Sequence, residues 1–231
     1  MIPTPAILPT LDDARPPSIT DQVYEALYDR VVNLTLPPGA RLSEAEVAAQ
    51  MGVSRQPVRD AFYRLSQMGF VLIRPQRATT VTPISEQAVL QAYFIRCALE
   101  ESCLRHATQR LSDQHLDALD ALIARQDQAV RADDRSLFHA LDDQFHHDIC
   151  HYAGLGFVWA LVKENKGHMD RARFLSLSYN GASAVREHRQ ILLALRRRDS
   201  DAAVAAIRHH LAQIEGIIAR VRQERPGLFG E

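Results

Sequence analysis

Two short capped helices set only three residues apart constrain this chain more than any other feature. Ser43, with Glu46 three residues on, is an S-x-x-E pattern whose hydroxyl and carboxylate satisfy amides left open at a helix start. Gly52 stands where that helix must stop, and glycine enters the left-handed conformation of a helix end without strain. Ser54 then caps the next helix, and Pro57 is tolerated in a first turn whose amides have no intrahelical partner. This second helix carries Ala61, Phe62 and Leu65 at helical spacing and runs to Gly69. Two helices on so short a glycine-containing joint form a helix-turn-helix.

The flanking residues complete a known arrangement. Upstream, Ser18 caps a helix bearing Val23, Leu27, Val31 and Leu34, which Pro37-Pro38-Gly39 ends. Downstream, Phe70 to Ile73 reads as a strand, Arg74 to Arg77 as a turn, and the β-branched run from Thr79 to Thr82 as a returning strand. A helix-turn-helix followed by a hairpin is a winged helix.

Formal net charge is −1, so no global basic field points to nucleic acid. Locally the charge is segregated: residues 52–82 hold five arginines and a single acid, Asp60. Arg55 and Arg59 are i and i+4 at the start of the third helix, the end that a recognition helix presents to the major groove. Arginine there pairs with guanine or grips phosphate. Arg77, at the wing tip, is placed to reach the minor groove or the backbone. A solvated surface explains any one of these arginines; caps, wing and charge segregation together favour DNA.

The segment LPPGARLSEAEVAAQMGVSRQPVRDAFYRLSQMGFV (36–71) resembles the DNA-binding domain of the GntR family, and GVSRQPVRDAFYRL (52–65) is close to its signature. The resemblance implies that Ser54, Arg55, Gln56, Pro57 and Arg59 sit on the operator. The chain departs from the FadR-type pattern at Ala45, where an arginine is usual, and at Ala78, where the wing often has glycine.

From Ser85 the pattern is helix after helix, over 85–110, 112–132, 134–152, 156–179, 183–198 and 200–223, with Gly154 and Gly181 as breaks. Six such helices make an antiparallel bundle. The fold expected is mainly α, with a winged helix-turn-helix at 18–83 and an all-helical domain at 84–224. A proline-rich disordered tail at 1–17 and a short tail at 225–231 flank them.

Periodicity sorts the histidines of the second domain. Leu137, Phe138, Leu141, Phe145, Ile149 and Tyr152 make one apolar stripe, with Asp142 and His146 at i, i+4 along its flank and His147 opposite. His210 joins the inward face of the last helix while His209 points away, and His188 lies on the inner face with Ile191, Leu192 and Leu195. One aspartate and three imidazoles therefore point inward from three helices. A lone inward histidine is usually a satisfied core residue; this set needs partners, a counter-charge or a metal. Its donors suit zinc first, with nickel or manganese as alternatives. Glu187, beside His188, is expected to point elsewhere, and no H-E-x-x-H run is present.

Residues 88–212 resemble the FCD ligand-binding domain of the FadR branch. The D-x-x-F-H pattern falls on Asp142, Phe145 and His146, and the later histidines match His188 and His210, positions at which metal-containing members hold their ion. The family's R-x-x-x-E falls on Arg96 and Glu100, which implies that Arg96 faces the cavity and helps to hold a carboxylate. Arg171 and Arg173 are two apart and cannot share a helical face; Arg173 is the second candidate clamp, and Arg171 is expected at the surface.

The function expected is a homodimeric DNA-binding regulator, a repressor by resemblance, acting on a double-stranded operator. A small carboxylate or sugar acid at the metal site would control it. The alternatives are a regulator for which the metal itself is the signal, a metal-free site whose histidines bind the effector directly, and a metal-dependent hydrolase, which leaves the recognition helix idle. An enzyme is not expected. Three scattered cysteines, no signal-peptide pattern and no long apolar run suggest a cytoplasmic protein with no membrane partner.

Overall fold

The computed structural model describes residues 17–74 and 77–230. The tail expected at 1–17 lies outside them apart from Pro17, as do Pro75 and Gln76 of the wing turn. The chain divides into two compact units, one of residues up to Asp29 with Arg41–Thr80, the other of Arg30–Ala40 with everything from Val81 on.

The winged helix-turn-helix comprises α1 (Ile19–Val32), β1 (Arg41–Leu42), α2 (Glu44–Met51), α3 (Arg55–Gln67), β2 (Val71–Leu72) and β3 (Thr79–Val81). The sheet has the order β1-β3-β2, with β1 antiparallel to β3 through Arg41↔Thr80 and Leu42↔Thr79. β1 is too short to leave a sequence pattern. Ser43 accepts the Glu46 amide at 3.5 Å, and Gly52 takes φ 66° with its amide turned back to the carbonyls of Ala48 and Ala49. Val58, Ala61, Phe62 and Leu65 make the buried face of α3, at i, i+3, i+4 and i+7. One expectation fails at the end of α1: the helix stops at Val32, and Leu34 takes a left-handed φ of 63° instead of continuing the stripe.

The second domain is a bundle of α4 (Glu86–Arg110), α5 (Asp113–Arg131), α6 (Arg135–Tyr152), α7 (Gly156–Arg196) and α8 (Ser200–Glu224), followed by a 3-10 turn at Pro226–Leu228. Side chains of Ser85, Ser112, Asp134 and Asp199 cap α4, α5, α6 and α8. The main correction concerns α7. The helices expected at 156–179 and 183–198 are one continuous helix of 41 residues. Gly181 does not break it; a Cβ there would lie 3.0 Å from Cγ2 of Val130, so the glycine lets α5 approach closely. A glycine in a helix costs about 1 kcal/mol, which packing readily offsets. Leu137 is also misplaced by periodicity, being 44% exposed in the first turn of α6. Among the described residues no helix is long and apolar enough to cross a membrane.

Candidate metal centre and nucleic-acid interface

In the winged helix the start of α3 is a polar, exposed surface. Ser54, Arg55, Gln56 and Arg59 are exposed and Pro57 is half-buried. Ser54 occupies the cap position but its hydroxyl makes no cap bond, so it is free to donate elsewhere. Gln56 donates to Asp60 at 2.9 Å. Arg59 is held from α2 by both oxygens of Glu44, at 3.2 and 3.0 Å. An exposed pair of this kind is screened by solvent and adds little, so a phosphate can replace Glu44 at little cost. Arg77 is exposed beside the wing turn. Arg64, by contrast, is tied up within the unit, 2.7 Å from Asp21 and lying over the Tyr24 ring.

In the bundle, α6, α7 and α8 bring Asp142, His146, His188 and His210 together, all buried, with one donor atom from each within 4.8 Å of the others. His188 Nε2 is 3.4 Å from His210 Nε2 and 3.6 Å from Asp142 Oδ1, and His146 Nε2 is 4.0 Å from Asp142 Oδ2. His147 and His209 stay outside this cluster, as periodicity predicts.

What orients the rings is a set of acceptors behind them. Gln126 of α5, fully buried, donates its amide to the Leu141 carbonyl at 2.9 Å. Its oxygen must then face His188 Nδ1, at 2.8 Å. An acceptor at Nδ1 places the ring proton there and leaves Nε2 a bare lone pair. Glu187 does the same for His210, 2.8 Å from its Nδ1; a Glu100 oxygen lies 2.6 Å from His146 Nδ1 but makes no hydrogen bond to it. Two oriented lone pairs, the His146 ring and a carboxylate thus converge. Both ring nitrogens of His146, and Asp142 Oδ1, have no hydrogen-bond partner. A divalent cation is the group that such a donor set fits.

Electrostatics agree. Burial holds the His188 imidazole well below its usual range, with His210 adding to the shift. Burial likewise lowers His210 against the pull of Glu187, so both are neutral near pH 7, the form that ligates. Burial opposes the charge on Asp142, yet the Arg173 guanidinium beside it leads the pull that holds its carboxyl well below the usual carboxylate range. Glu100 is held low in the same way, by Arg96 and His146 acting against burial.

Glu187 corrects the expectation that it points elsewhere: it misses the donor cluster but grips the far side of His210. Gln126 left no signal in its own helix, because its role exists only across the gap to α6 and α7. Removing its acceptor, as in Gln126→Leu, should lower zinc affinity about tenfold while the fold survives, as read by competition titration. Unchanged affinity would remove Gln126 from the site.

Both candidate clamps are buried and already engaged. Arg96 bonds Glu100 at 2.6 Å, leaving Nη2 without a partner. Arg173 donates Nη2 to Asp142 Oδ2 at 2.6 Å, leaving Nη1 unbonded 3.6 Å from Asp170. Arg171 is not at the surface as expected but fully buried. A neighbouring group, His139, Asp143 and Asp170, also has metal-like spacing, but the Lys166 ammonium sits on both of its carboxylates and fills the cation's place.

The model for bacterial regulatory proteins of the gntR family matches residues 19–81, and that for the FCD domain matches 91–213. The chain is 34% identical to the HTH-type transcriptional repressor RspR of Escherichia coli K12 over 215 residues, 92% of this chain and 94% of that one. It is 38% identical to an uncharacterized HTH-type transcriptional regulator of Streptomyces ambofaciens over 210 residues, 90% of this chain and 88% of that one. Among solved structures, McbR/YncC of E. coli shares the fold with a TM-score of 0.76 at 24% identity, covering 89% of this chain and 99% of that one.

Proposed function

Because the chain belongs to the GntR family of bacterial regulatory proteins and carries its FCD domain, we propose that it is a repressor whose operator affinity is set by a small carboxylate or sugar acid bound at a metal site. Asp142, His146, His188 and His210 would hold the ion, zinc first among the candidates. The carrying observation is the buried convergence of the Asp142 carboxylate and the His146 ring with two Nε2 lone pairs, on His188 and His210, that acceptors behind the rings orient. When bound, the ion supplies a positive charge to a carboxylate oxygen of the effector. Arg96 Nη2 and Arg173 Nη1, the two unbonded guanidinium nitrogens near the centre, would take the other oxygens. Ser54, Arg55, Gln56, Pro57 and Arg59, with Arg77 on the wing, would meet the operator. A homodimer would match a palindromic site by its own two-fold symmetry.

The test is a thermal-shift screen of zinc-loaded and chelator-treated protein against small carboxylic and sugar acids. An acid present at about a hundred times its dissociation constant should add about 2.7 kcal/mol to stability. The expected result is a selective shift that disappears with chelation. A shift that survives chelation would exclude metal-assisted binding. Zinc alone altering DNA affinity, with every acid inert, would make the metal the signal.

A further inference from the structure

Arg171 is among the largest fully buried side chains, and among the described residues no carboxylate offsets its charge. Burial pulls its guanidinium down to about 10. A buried cation without a counter-charge is destabilising compared with an apolar side chain of similar volume, so packing does not account for an arginine here. Its partners are backbone: Nη2 donates to the Thr82 carbonyl at 2.7 Å and Nη1 reaches that of Pro83 at 3.4 Å. Thr82 and Pro83 form the short segment by which β3 continues into α4.

The same segment is held on from the C-terminus. The Ile84 amide donates to the Leu228 carbonyl at 2.8 Å, and Ile84 forms a parallel bridge with Phe229. Arg171 also shares one turn of α7 with Asp170 and with Arg173, which grips the candidate metal ligand Asp142. Asp142 Oδ1, which has no hydrogen-bond partner, is the oxygen open to a divalent cation while Oδ2 holds Arg173, so a cation there would draw charge from the carboxylate and loosen its pull on Arg173. Arg173 sits two residues from Arg171 on the same turn of α7.

We propose that Arg171 is a positioning residue that ties the Thr82–Pro83 segment to the turn of α7 beside the metal centre, so that occupancy of the centre changes how firmly the segment leading from the wing is held. This rests on the metal-site reading above. Arg171 touches neither effector nor DNA; it acts through two carbonyls.

The test follows amide hydrogen exchange at Ile84 in the full-length protein, with and without zinc, in the wild type, Arg171→Met and Arg171→Lys, with zinc affinity titrated in parallel. The wild type should bind zinc and change its exchange at Ile84 on binding. Arg171→Met, which keeps the length but loses both bonds, should bind zinc with little change in affinity. It should exchange roughly tenfold faster at Ile84 in both states. Should that variant fail to fold, Arg171→Lys, able to reach one carbonyl, carries the test with a reduced zinc response. A zinc response of wild-type size in either variant would overturn the proposal. Zinc binding to the wild type with no change at Ile84 would overturn it alone, whereas no zinc binding at all would remove the metal reading and the proposal together.

Discussion

Asp142→Ala should lose about 3 kcal/mol of folding stability in the metal-free protein and should no longer bind zinc at the bundle centre. Both effects trace to one carboxylate, which grips the buried Arg173 guanidinium and is a candidate metal ligand. Arg173 is only 8% exposed, and removing the carboxylate leaves its guanidinium in a dry interior. Breaking a buried pair by deleting one partner costs about 3–5 kcal/mol; the lower end applies because Asp170 lies 3.6 Å from Nη1 and takes part of the charge. Asp142→Asn keeps an oxygen toward Arg173 and should recover part of the stability but not the zinc affinity. Urea unfolding in chelator, beside a zinc titration, separates the two roles. A variant as stable as the wild type would show that the Arg173 pair contributes nothing, and one that still bound zinc normally would move the centre elsewhere.

Arg55→Ala and Arg59→Ala should each weaken binding to a selected DNA site by about 1–3 kcal/mol while leaving thermal stability within experimental scatter. Both side chains are exposed at the start of α3, and the buried face of that helix lies on Val58, Ala61, Phe62 and Leu65, so neither supports the core. The two variants should differ in kind. Arg59 must leave Glu44 to reach DNA, so Glu44→Ala should raise affinity modestly in the Arg59 background and do nothing once Arg59 is gone. Fluorescence anisotropy across a salt series reads both effects, because a lost phosphate contact also flattens the salt dependence. Undiminished affinity in the double variant would sink α3 as the recognition helix.

What the sequence determined by itself was whatever depends on residues within a turn or two of each other. The cap at Ser43 acts over three residues, and the left-handed Gly52 over five, so both were readable. Helical period alone separated His146 from His147 and His210 from His209, because one residue turns a side chain by about 100°. Tertiary structure decided the rest. Asn180-Gly181 reads as a break, yet α7 runs through it, since Val130 of α5 needs the space that a Cβ would occupy. Arg171 looks like a surface residue until α7 is seen to pass beneath Thr82 and Pro83, 89 and 88 positions earlier in the chain. Gln126 and Glu187 choose the tautomers of His188 and His210 across gaps between helices that no local pattern connects. Local spacing selects which ligand-type side chains face inward; only the packing of helices against one another selects what stands behind them, because a hydrogen bond is set by position in space and not by distance along the chain.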